Sequence, residues 1–345
     1  MAKTSGVSLD DVIKEMNKKA GEEIVTKGLS VYNYSHIPFT SPRMNYCTYG
    51  GLPVGKVIEF FGEEHGGKTT TALDVIANYQ QMEDAKKVLY VDAENTLDTE
   101  WAQKLGVNTD ENFILLQPKS QSAEEIFQFI IDAVETGEIG LWVLDSIGVL
   151  LSQQEFEKSI EEKTYAGISK PLTQFSKRIE QAMHGNKCTG IGINQIRDNL
   201  NSTWGGITTP GGKGWRHTCA VRIQFSRGSF YDEKGNTLSR GADNPVGNMV
   251  QVNMIKNKTC PPKRHVTAYS LNYDEGVDYL KDLVDMAILQ GFVNKRGGWF
   301  DIVDPETGEV LDKVQGQANV AFYLQEHEEL LSKIEQGIDD YINEK

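Results

Sequence analysis

KVIEFFGEEHGGKTTTALDVIANYQQ, residues Lys56–Gln81, is the stretch that decides the fold. An apolar run of strand length breaks into a glycine-rich turn, and the turn opens onto a helical pattern. The turn, Gly62–Thr70, satisfies G-x-x-x-x-G-K-[ST] in the strand-then-helix setting that this motif requires. Its physics is direct. Backbone N–H groups of the loop and of the helix start point at phosphate oxygens. Lys68 adds a full positive charge, and the Thr69 hydroxyl can ligate Mg²⁺. Gly62, Glu63, Glu64, His65, Gly66, Gly67, Lys68, Thr69 and Thr70 are therefore the candidate nucleotide-binding residues. The bland alternative is a glycine-rich turn carrying an exposed lysine.

Outward from this stretch, short apolar runs alternate with helical patterns: KVLYVDAE, EEIFQFIIDAVETG, GLWVLDS, PLTQFSKRIEQAMHG and CTGIGINQ. Such alternation predicts right-handed βαβ crossovers and a mainly parallel sheet covered on both faces. AVRIQFSRG, MVQVNMIKNK and HVTAYSLNY alternate with polar turns instead, so antiparallel strands are expected to end the sheet. Upstream, SLDDVIKEMNKKAG reads as a helix: Ser8 and Asp11 resemble a capping box, and Gly21 is the stop. EIVTKGLSVY reads as extended. The expected organisation is α/β, with a helix-strand arm over residues 1–40, a core over 41–274 and a small α+β lobe over 275–345. That lobe should carry a small hairpin (KRGGWFDI, DPETGEV) and acidic terminal helices.

The formal charge of −14 argues against wholesale coating of nucleic acid. It leaves room for a local basic site, because screening confines a charge's reach to roughly 10 Å at 0.1 M salt. The four cysteines form no CxxC pair, which fits reduced, structural thiols. No apolar run reaches membrane-span length and the N-terminus lacks a signal-peptide core, so no membrane partner and a cytoplasmic location are expected.

Open α/β sheets bind ligands outside the carboxyl ends of their strands. Asp145 closes LWVLD and, with Ser146 beside it, suits either direct coordination of Mg²⁺ or support of the groups that coordinate it. Glu94, just past VLYVDA, is a candidate base for the water that attacks a γ-phosphate. Either carboxylate can instead cap the helix that follows. Asn194 and Gln195 end another strand, where a neutral amide can bond the γ-phosphate or simply finish a buried strand. Beyond them runs NLNSTWGGITTPGGKGWRHT, Asn199–Thr218, with almost no aliphatic residues and two tryptophans. It is too long for a compact connection and cannot fold a core of its own. Trp204 can stack on nucleic-acid bases or lie against the domain surface. Arg197, Lys213 and Arg216 would supply phosphate contacts. Gly205, Gly206, Gly211 and Gly212 permit a chain that orders on binding.

GLPVGKVIEFFGEEHGGKTT, VDAENTLDTEWAQKLGV, LDS, INQIR, the glycine-rich loop, KNK and QGQAN follow one another in the order and spacing of bacterial RecA recombinases, and the chain resembles that family over nearly its whole length. The resemblance implies a RecA-like phosphate-loop core that cradles ATP with Mg²⁺, with Asp98 and Trp101 at the adenine. It implies Glu94 as the catalytic carboxylate and Gln195 as the γ-phosphate sensor. Lys256 and Lys258 would reach a neighbouring subunit's ATP, as an arginine finger does. Phe156–Tyr165 would be a first DNA loop and Asn199–Thr218 the second, with Trp204 inserting between bases. Arg178 would touch the DNA backbone, and Lys295 and Arg296 beside Trp299 fit either a duplex-capturing patch or a plain surface cation cluster. Ile24–Gly28 would add as a strand to a neighbour's sheet, a head-to-tail contact that builds a helix of subunits. Three departures stand out: Pro171 occupies a place where the family usually has arginine, the first loop is acidic, and some glycines of the second loop are displaced around Pro210.

The implied function is an ATP-dependent recombinase. It would form a filament on single-stranded DNA and pair that strand with homologous duplex, the acidic C-terminus delaying duplex entry. The rivals are a ring helicase built on the same core, and a regulatory filament that exchanges no strands.

Overall fold

The structure, a computed structural model, describes residues 8–21, 25, 35–158, 167–198, 206–233, 236–239 and 242–344. The chain divides into two units, Met1–Ser35 and His36–Lys345. In the first, helix Leu9–Ala20 starts at the expected capping box, Ser8 with Asp11, and ends on left-handed Gly21. Leu9, Val12 and Met16 remain exposed along it. Asn17 brackets the backbone of Val25 with hydrogen bonds of 2.9 and 2.8 Å. The rest of Ile24–Gly28 lies outside the described residues.

The second unit is built on a ten-stranded sheet. Six strands run parallel, in the order Val221–Tyr231, Val57–Gly62, Thr189–Gln195, Ile139–Asp145, Lys87–Asp92 and Phe113–Leu116. Beyond Val221–Tyr231, strands Gly247–Asn257, Val266–Asn272 and Gly276–Val277 continue antiparallel. Fully buried strands such as Ile139–Asp145 reflect helices on both faces. One face packs the phosphate-loop helix Lys68–Gln80, and the other packs helices Ala123–Glu135 and Ser169–Met183. Pro171 sits in the first turn of the latter helix, where the missing N–H costs no helical bond.

Several elements differ from expectation. Phe113–Leu116 is an edge strand whose four residues are too few to show periodicity. Pro42–Thr48 is a helix, capped by Ser41 with proline at its start, in a stretch to which the sequence patterns assign no element. The terminal lobe holds three antiparallel strands, Val293–Arg296, Trp299–Val303 and Val310–Gln315, rather than a hairpin. The expected terminal helices are present, and the last of them, Glu328–Asn343, packs into the lobe. Leu330, Ile334, Ile338 and Ile342 are core, and Arg264 donates to the carbonyls of Tyr341, Ile342 and Glu344.

Thr40 and Ser41 meet two buried carboxylates. Asp74, on the phosphate-loop helix, accepts from Thr40 N at 3.1 Å, and Asp282, on lobe helix Tyr279–Gln290, accepts from Ser41 Oγ and Ser270 N. Burial pushes Asp74 up to about 6 and Asp282 to about 7, although Arg43 pulls the latter down. Both carboxyls hold protons more tightly folded than unfolded. Their contribution to stability is therefore complete below the ordinary value of 3.8 and is lost as pH rises through about 6 and about 7. Between pH ~5 and ~8 the thermal midpoint of the wild type should fall relative to that of Asp282→Asn. Parallel melting curves across that range would remove the assignment.

Candidate nucleotide and DNA site

The strand register brings the site together. Gln195 lies opposite Gly62, and Asp145 opposite Asp92, so adjacent parallel strands end side by side. From Gly62 the chain turns through exposed Glu63, Glu64 and His65 and buried Gly66. Gly67 then starts the helix at φ 88°, a left-handed geometry that a side chain resists. The helix's opening N–H groups lack intrahelical acceptors and face the loop. Lys68 is 8% exposed and donates to the Gly62 and Glu63 carbonyls at 3.2 and 2.6 Å. Burial lowers its pKa, while Asp145 and Glu94 oppose that shift. Thr70 follows, half-buried.

Thr69 Oγ1 donates to Asp145 Oδ2 at 2.7 Å, and Tyr90 OH donates to the same oxygen at 3.0 Å. Burial raises the pKa of Asp145, and Thr69 and Tyr90 work against it. Burial also raises that of Tyr90 well above its ordinary value, which keeps its hydroxyl a donor. Glu94 Oε1 accepts from Ser146 Oγ at 2.5 Å and from Gln195 Nε2 at 3.2 Å. Lys68, Thr69, Asp145, Glu94 and Gln195 thus form one cluster. Hydroxyl beside carboxylate is a hard-oxygen donor pair of the kind Mg²⁺ takes.

The two amides that end strand Thr189–Gln195 part company. Gln195 faces the cluster, whereas Asn194 is 0% exposed and turned inward. Just beyond, Arg197–Asp198 pairs antiparallel with Ile207–Thr208, so the second loop leaves and returns on a two-strand stem. Arg197 also donates to the Gly148 carbonyl at 3.3 Å. Trp204 and Gly205 lie outside the described residues, as does most of Phe156–Tyr165. The return arm is more ordered than a core-less loop. Gly212–Thr218 is a helix, and Trp215 is buried against Phe175. A Cβ on Gly211 would come within 2.3 Å of Leu172 Cδ2, so glycine there serves close packing. Lys213 is exposed on the same helix.

A family model described as the RecA N-terminal domain matches residues 7–278, and one described as the RecA C-terminal domain matches residues 281–343. The chain belongs to the RecA family. A Protein RecA of Enterococcus gallinarum is 30% identical over 99% of this chain and 93% of its own length. Those of Streptomyces ambofaciens and Paracoccus denitrificans are 34% and 33% identical, each over 84% of this chain and over 73% and 76% of their own. RecA proteins are DNA-dependent ATPases, and this chain is a nucleotide-binding member of that family.

Other expected residues of this RecA-family chain bond partners outside the cluster. Lys256 Nζ donates to the Arg216 and His217 carbonyls at 2.5 and 3.1 Å, and Lys258 Nζ to His217 O at 3.0 Å. Both lysines therefore cap the C-terminus of helix Gly212–Thr218. Asp98 caps helix Thr99–Lys104 through Trp101 N at 3.0 Å, and Trp101 is half-buried against the core. Arg178 bonds Gln128 at 2.7 Å. In the lobe, Arg296 stands opposite the exposed Trp299 and pairs with Asp301 at 2.9 Å, while Lys295 lies 5.7 Å from the Phe300 ring. Sequence reasoning missed Tyr90, hidden as one more apolar residue of a buried strand. It also gave Asn194 no role of its own once Gln195 was singled out.

Proposed function

We propose that this chain binds ATP with Mg²⁺, assembles head to tail on single-stranded DNA, pairs that strand with homologous duplex and exchanges strands. One observation carries the reading: a run of contacts, Thr69–Asp145 and Ser146–Glu94–Gln195, leads from the phosphate loop to the stem of the second loop. Lys68 and the loop N–H groups would hold the phosphates. Thr69 and Asp145 would hold Mg²⁺, which supplies charge neutralisation at the phosphate oxygens. Glu94 would take the proton of the attacking water, with Ser146 fixing its carboxylate. Gln195 would exchange its bond to Glu94 for one to the γ-phosphate and move the loop stem as it does so. Asp98 and Trp101 would border the base.

Assembly draws on separate features. Strand Phe113–Leu116 is at the edge of the sheet, with Leu115 and Phe129 exposed, and would accept Ile24–Gly28 of a neighbour. The exposed stripe of Leu9, Val12 and Met16 is a surface that a neighbour would cover. Lys256 and Lys258 would leave the Arg216 and His217 carbonyls to meet a neighbour's γ-phosphate. Arg178, Arg197, Trp204, Gly205, Gly211, Gly212 and Lys213 would make the single-strand surface, and Lys295 with Arg296 would meet duplex.

Electron microscopy with a slowly hydrolysed ATP analogue and single-stranded DNA should show helical filaments. Closed rings would favour the helicase reading. Trp204→Ala should weaken oligonucleotide binding by about tenfold, the value of one lost base stack, and lower joint-molecule yield. Unchanged affinity and yield would sink the role of this ring.

A further inference from the structure

Beneath the cluster lies a polar network that the proposed chemistry does not use. Glu59, in the middle of strand Val57–Gly62, is 0% exposed. Its Oε2 accepts from Arg222 Nε at 2.5 Å, and its Oε1 accepts from Asn194 Nδ2 at 2.9 Å. The second hydrogen of that amide goes to the Pro210 carbonyl at 3.0 Å. Asn194 Oδ1 accepts from the backbone N–H of Gln195 at 3.1 Å. Arg222 lies over the Phe61 ring at 4.6 Å and donates through Nη2 to Thr209 Oγ1 at 3.3 Å. Three adjacent strands therefore meet at one carboxylate, and the two side chains that bond it, Asn194 and Arg222, also bond the return arm of the second loop.

A buried ion pair is a poor way to gain stability, since apolar side chains of the same volume often do as well. Its distinctive property is geometric. A buried network with its members satisfied admits one arrangement, because any other strands a charge or a donor. Asn194 uses both donors and one acceptor position, and its three partners belong to three different parts of the molecule. When Gln195 shifts, the amide shifts with it, and Pro210 must follow or lose its bond. Arg222, paired with the same carboxylate through Nε, bonds the preceding residue, Thr209, through Nη2.

We propose that Asn194, oriented by the Glu59–Arg222 pair, is a positioning residue that ties Gln195 to Thr209–Pro210, so that nucleotide and DNA act on one rigid unit. This rests on the reading of Gln195 as a γ-phosphate sensor and of Asn199–Thr218 as a DNA loop. Coupling of this kind is reciprocal and is typically worth about 5–150-fold in affinity.

The experiment compares the affinity of the 345-residue chain for a fluorescein-labelled oligodeoxythymidylate with and without a slowly hydrolysed ATP analogue. The ratio of the two is the coupling. Asn194→Asp removes both donors and sets a second carboxylate against Glu59. It should lower the ratio by about tenfold, while affinity for a fluorescent ATP analogue without DNA changes by less than about threefold. Thr209→Val, which keeps shape and fold, should lower the ratio by about threefold. Adding Glu59→Gln to Asn194→Asp restores one carboxylate and one amide to the pair but no donor to Pro210. The double variant should recover thermal stability and still lack coupling. An unchanged ratio in both single variants, or coupling that returns in step with stability, overturns the proposal. A wild-type ratio near one overturns the functional reading and the proposal together.

Discussion

Glu94→Gln should lower DNA-stimulated ATP turnover by about 10²–10⁴-fold, the usual value of a positioned general base, and leave ATP affinity within a few-fold. The substitution keeps the size of the side chain and an oxygen for Ser146 Oγ, which bonds Glu94 Oε1 at 2.5 Å. What it removes is the capacity to take a proton from water. Ground-state binding depends instead on Lys68 and the loop N–H groups, which the change does not touch. The effect should therefore fall on kcat with KM nearly constant, and nucleotide-dependent DNA binding should persist. Steady-state hydrolysis with saturating single-stranded DNA is the measurement. Turnover within threefold of wild type would mean that Glu94 serves only as a hydrogen-bond acceptor for Ser146 and Gln195.

Glu59→Ala should destabilise the second unit by about 3–5 kcal/mol, because it strands a buried guanidinium. The Arg222 side chain is 11% exposed and that of Glu59 0%, so water cannot replace the lost partner cheaply. Replacing both members, as in Glu59→Leu with Arg222→Met, should recover most of that loss by exchanging an ion pair for packed apolar groups. Urea unfolding followed by tryptophan fluorescence reads both variants, since Trp142 and Trp215 are fully buried in this unit. A loss below about 1 kcal/mol for Glu59→Ala would show that solvent reaches the pair. The double variant would then have no deficit to repair.

Features built from residues next to one another are legible in the sequence. Gly62–Thr70 carries its strand, turn and helix in consecutive positions, and Ser8–Asp11 carries its own cap, so local rules suffice. Phe113–Leu116 is too short for a periodic signal. Gly212–Thr218 hides a helix behind glycines that serve packing against Leu172 and Thr173. Trp204 and Trp215 are eleven positions apart in one glycine-rich segment, yet the second is a core residue of the layer that holds Phe175. Composition could not separate them.

The chain alone determines the parallel α/β core, the phosphate loop and the acids at the strand ends, because each follows from a period, a motif or a position next to a strand. Tertiary structure alone decides which of those acids converge. Thr69 meets Asp145 across 76 positions, and Glu94 meets Gln195 across 101, through strand order and register. It alone turns Asn194 inward and Gln195 outward, since successive residues of a strand point to opposite faces and only the assembled sheet says what lies on each. The pairing of Glu59 with Arg222 has the same origin: 163 residues separate two charges that become neighbours when their strands lie side by side.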